Sequence, residues 1–98
     1  MEFDLIITER ATEEIQNATD YYDEISPNLG TRFLIELSEV YKKLSINPQF
    51  YSFISGTFRS NIRDTKLKSF PYLVIYEIRE SSVMVISVQH THRKPMFL

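Results

Sequence analysis

The side chains best suited to chemistry in this sequence fall late in the chain. His90 and His92 stand two residues apart with Arg93 beside them, and the cations Arg59, Arg63, Lys66 and Lys68 precede them. Imidazoles move protons near neutral pH, while guanidinium and ammonium groups hold phosphates or carboxylates. From Gly56 onward Arg59, Arg63, Lys66, Lys68, Arg79, Arg93 and Lys94 face only Asp64, Glu77 and Glu80, whereas acids dominate the stretch before it. The net charge of −2 therefore conceals a polarised chain. Its C-terminal half offers a positive field to a nucleic acid or to an acidic partner peptide. The plainer alternative is a solvated sheet whose edge cations discourage aggregation.

Other chemistries are excluded by what the chain lacks. Without cysteine there is no disulfide framework, no thiolate metal site and no cysteine nucleophile. His90 and His92 have no third ligand at a suitable spacing, so neither a metal nor a cofactor is expected. A glycine-rich phosphate loop is absent from a chain with two glycines. The ordinary reading of His90 stands beside the functional one, since it extends the apolar face of a strand and can be a hydrogen-bonded strand-end histidine.

The elements that must position these residues follow from hydrophobic period. Ninety-eight residues with 43% hydrophobic content support one core, so residues 1–98 are expected to form a single domain. Phe3, Leu5 and Ile7 alternate as in a strand. Thr8 is a suitable N-cap for a helix whose apolar face is Ala11, Ile15, Ala18, Tyr22 and Ile25. Ser26-Pro27 predicts the start of a second helix, with the stripe Leu29, Phe33, Leu34, Leu37, Val40, Tyr41 and Leu44, ending near Asn47-Pro48. Gly30, in the first turn of this second helix, is either a tolerated glycine or, the preferred reading, the point where the two helix backbones approach closely. Residues 49–57 read as an aromatic-rich loop, and 58–63 and 66–70 as short strands. Two stronger strands follow, one with Tyr72, Val74, Tyr76 and Ile78 on one face, the other alternating Met84, Ile86, Val88 and His90 with Val83, Val85, Ser87 and Gln89. The expected fold is α+β: an N-terminal strand, an antiparallel helix hairpin, then a three- or four-stranded antiparallel sheet with the last two strands central. The acidic N-terminus and the short apolar runs give no signal peptide or membrane span, so a cytoplasmic location is expected.

The order of these elements, with Tyr21-Tyr22, the run from Leu29 to Phe33, Asn47-Pro48, the run from Phe70 to Tyr76 and the closing run from Val88 to Pro95, resembles the RelE/ParE toxin superfamily over nearly the whole chain. The resemblance implies the toxin of a bacterial type II toxin–antitoxin module, neutralised by a cognate antitoxin protein. It implies one of two targets, DNA gyrase for ParE-like members or messenger RNA on the ribosome for RelE-like ones.

Cleavage of RNA requires a base near the ribose hydroxyl, cations at the scissile phosphate and a proton source. RelE-like nucleases carry an arginine after the aromatic that opens the penultimate strand, an arginine beyond the last strand and a tyrosine near the C-terminus. Here those positions hold Leu73, Thr91 and Phe97. Lys66 and Lys68 are retained, and His90, His92 and Arg93 would be the catalytic set if the protein were a nuclease. The spacing of Val88, His90 and Arg93 is closer to ParE-like members, so a non-hydrolytic gyrase inhibitor is the preferred expectation and an mRNA endonuclease the alternative. In that reading Arg59, Arg63, Lys66, Lys68 and Arg93 contact the target or nucleic acid. A non-toxic binding module on the same fold is a third reading. Assembly as a homodimer and as a toxin–antitoxin hetero-oligomer both stay open.

Overall fold

The computed structural model describes residues 2–50 and 62–92. Arg59, Arg93, Lys94 and Phe97 lie outside them, as do most of the expected aromatic loop and the first part of the expected strand at 58–63. The elements are β1 (Asp4–Ile7), α1 (Glu9–Ile25), α2 (Leu29–Ile46), a 3-10 turn (Pro48–Phe50), β2 (Ile62–Lys66), β3 (Tyr72–Arg79) and β4 (Ser82–His90).

Thr8 starts α1 as its side chain predicts. The hydroxyl accepts from the Ala11 amide and donates to the Ile86 carbonyl, so one residue caps the helix and ties it to β4. Ala11, Ala18 and Tyr22 are buried along the expected stripe, but Ile25 at its end is exposed. The chain reverses later than Ser26-Pro27 suggests. The Ser26 amide still bonds to the Tyr22 carbonyl, closing α1, and Asn28 stands at the N-cap position of α2 at φ 69 without a side-chain cap bond. Asparagine tolerates this left-handed backbone, which makes the reversal here.

Phe33, Leu37 and Leu44 form the buried stripe of α2, while Leu34 is turned outward. The helices meet closely at Gly30, whose amide donates to Asp23 Oδ1 at 2.8 Å. A Cβ at Gly30 would stand 2.6 Å from Asp23 Oδ1 and 2.7 Å from the Thr19 carbonyl oxygen. The side chain can swing away; the backbone oxygen cannot. Gly30→Ala should therefore destabilise by about 1–3 kcal/mol, despite alanine's better helix propensity. Urea denaturation would check the sign, and a stabilised variant would show that the helices separate at little cost.

The sheet runs in the order β1-β4-β3-β2, so the last two strands are central as expected. It is not wholly antiparallel: β1 pairs with β4 in parallel, Asp4 opposite Ser82 through Ile7 opposite Val85. Alternation marks a strand but carries no direction. The parallel run ends at Thr8, whose amide and hydroxyl bond to the Val85 and Ile86 carbonyls as α1 begins.

The pairing of β3 with β4 slips by one residue, since Ile75 opposes Ser87 and Tyr76 opposes Val85, leaving Ile86 as a bulge. Val83, Val85 and Val88 consequently all reach the helix-covered core, where strict alternation would have sent Val88 to the opposite face. Residues 67–71 make a connection rather than a strand. Leu67 donates to the Tyr72 carbonyl, and Leu67 and Phe70 turn inward into the core.

Candidate functional site at the end of the sheet

Strand directions bring the C-terminal ends of β2 and β4 and the start of β3 to one end of the sheet, where Tyr72 opposes His90 and Leu73 opposes Lys66. The His90 ring stands edge-on to Tyr72, centroids 5.4 Å apart, and 5.0 Å from the His92 ring. The His92 amide donates to His90 Nδ1 at 3.1 Å. The neutral imidazole therefore carries its proton on Nε2 and presents a donor outward. Tyr72 is held from behind by Tyr22 and Phe33, both within edge-to-face distance.

A small cleft of about 130 Å3 opens beside this end, lined by Glu14, Asn17, Tyr72, Gln89 and His90. Glu14 reaches across from α1 to the edge of β4 beyond the end of β1. Its Oε1 accepts from the Ser87 hydroxyl at 2.7 Å and the Val88 amide at 3.0 Å, and Arg10 lies 3.6 Å from Oε2. Gln89 donates to Ser87 Oγ, while its own buried Oε1 has no partner among the described residues. Glu14 is the residue that sequence reasoning missed. A glutamate next to an apolar helix face is ordinary, and its partners lie more than seventy residues away.

Of the expected cations, the described ones, Arg63, Lys66 and Lys68, make their contacts away from the histidines. Arg63 donates from Nη1 to the Gln49 carbonyl at 3.2 Å, which ties β2 to the 3-10 turn. Lys66 and Lys68 line a separate groove along α2. Leu73, at the position where RelE-like nucleases carry an arginine, packs with Ile62 and Ile75 in a small apolar cluster. On β2, burial raises the Asp64 carboxyl above its ordinary value. Among the described residues, no three His, Cys, Asp or Glu side chains come together as a metal site, and no helix is long and apolar enough to cross a membrane.

The described fold is a helix hairpin over a four-stranded mixed sheet. A solved structure described as the chromosomal ParDE TA system from P. aeruginosa shares it. The match has a TM-score of 0.76 at 16% sequence identity and covers 91% of this chain and 96% of that one. No curated protein matches the sequence. Residues 5–95 match the family described as the ParE toxin of the type II toxin-antitoxin system, parDE. The chain belongs to the ParE toxin family.

Proposed function

We propose that the protein arrests bacterial growth by acting on DNA gyrase without hydrolysing a substrate, and that a cognate antitoxin neutralises it in the cytoplasm. Family membership supplies the frame. The observation that carries the non-hydrolytic reading is the state of the sheet end. With Nδ1 of His90 occupied by the His92 amide, the ring has no lone pair left to act as a general base. Leu73 adds an apolar contact where a nuclease needs a cation. His90, His92 and Arg93 then serve as a contact surface for the target rather than as an acid–base set.

Inducible expression should stop growth, and His90→Ala should relieve the arrest. That substitution also removes the contact with Tyr72, for a melting temperature lower by roughly 4–8 °C, the equivalent of about 1 kcal/mol. In a supercoiling assay the wild-type protein should trap gyrase and give cleaved plasmid while messenger RNA stays intact. Ribosome-dependent cuts at fixed codon positions, lost in His90→Ala, would make it an endonuclease instead. Unimpaired growth at full expression would point to a binding module.

A further inference from the structure

We infer that Glu14 is a positioning residue for the toxic surface: it stands in for a neighbouring strand along the last part of β4 and so sets where His90 and His92 are presented. The inference rests on the reading of this sheet end as the contact surface for the target. β1 pairs with β4 from Ser82 to Val85, and β4 continues to His90. No described strand lies beside residues 86–90 on that side. Side chains from the start of α1 take over there. The Thr8 hydroxyl holds the Ile86 carbonyl, and Glu14 Oε1 accepts the Ser87 hydroxyl at 2.7 Å and the Val88 amide at 3.0 Å.

The direction of each bond in this set is fixed. Glu14 Oε1 accepts in both of its bonds, so the Ser87 proton points at Glu14 and Ser87 Oγ is left as the acceptor for Gln89 Nε2 at 3.2 Å. One side chain thereby orders residues 87–89, immediately before His90. Ser87 and Val88 are buried and the Glu14 side chain is only 14% exposed, so water is a poor substitute for the carboxylate. On the opposite edge the Thr91 amide donates to the Pro71 carbonyl, and the Tyr72 ring stands against His90. His90 is thus clamped between α1 and the start of β3. Without the α1 side of the clamp the strand end can shift, and a functional surface has to be held to within about 0.5 Å.

The test compares Glu14→Ala, Glu14→Gln, His90→Ala and Gly30→Ala in the full-length protein. Gly30→Ala strains the contact between the helices and serves as the control for lost stability alone. Growth arrest is scored against the amount of folded protein, while NMR follows the His90 ring nitrogens and amide exchange at a temperature where every variant is folded. Glu14→Ala should need at least about tenfold more folded protein than wild type to arrest growth. It should also lose the signature of His90 Nδ1 as an acceptor and show faster exchange confined to residues 86–92. Glu14→Gln keeps the reach and the acceptor oxygen, so it should restore both readouts, and Gly30→Ala should retain both. Glu14→Ala as potent per folded molecule as Gly30→Ala, or an unchanged His90 ring signature in Glu14→Ala, would overturn the inference alone. His90→Ala as potent as wild type would overturn the reading of the sheet end, and this inference with it.

Discussion

Phe33→Ala is expected to lower folding stability by about 3–5 kcal/mol, a large part of the roughly 5–15 kcal/mol available to a domain of this size. The ring is fully buried at the centre of an aromatic cluster, with centroids 5.6 Å from Tyr22, 5.3 Å from Phe70 and 5.2 Å from Tyr72. Removing it opens a cavity that rigid neighbouring rings cannot fill, and it strips Tyr72 of the support that holds it against His90. The loss should appear as a lower urea midpoint, and the Tyr72 resonances should broaden as the ring gains freedom. A change below about 0.5 kcal/mol, the scale of a surface substitution, would mean that the helix is rotated away from this position.

Glu14→Ala is expected to cost about 2–4 kcal/mol, more than its place on a helix surface suggests. The carboxylate is the partner of the Ser87 hydroxyl and of the Val88 amide, and the alanine variant leaves both without an acceptor. Ser87 and Val88 are themselves buried, so water replaces the carboxylate only in part. Glu14→Gln is the informative control. Its amide oxygen can accept the same two bonds, so it should lie within about 1 kcal/mol of wild type, which separates the hydrogen bonds from the ion pair with Arg10. If both variants were equally destabilised, charge rather than bond geometry would be the cause.

Much of the architecture was legible in the sequence because it rests on local signals. The Thr8 cap, the stripes through Ala18 and Phe33, and the central position of β3 and β4 each follow from a cap residue, a helical period or a two-sided apolar strand. What was not legible depends on distant partners. The parallel pairing of β1 is made with residues 82–85 at the far end of the chain, and the bulge at Ile86 shifts the phase of β4 without any glycine or proline to mark it. Leu67 and Phe70 bracket a turn that the apolar pattern alone made look like a strand. At the sheet end the sequence pointed to His90 and His92, and the fold does bring them together. It could not show that their contact fixes a tautomer, that Glu14 crosses to the same place, or that Lys66 and Lys68 face α2 and its lysines instead.

The parallel pairing of β1 with β4 also governs when the folded protein first exists. Among the described residues the first strand pairs with β4 alone, and the bond from Thr8 to Ile86 spans 78 positions of the chain. Contacts of such separation make folding slow and leave little that a partial chain can complete. A nascent polypeptide that has not yet delivered Ser82–His90 from the ribosome lacks the strand on which both β1 and β3 depend. Translation halted before this strand therefore leaves a chain without the central pairing of its sheet, and such incomplete chains expose apolar surface.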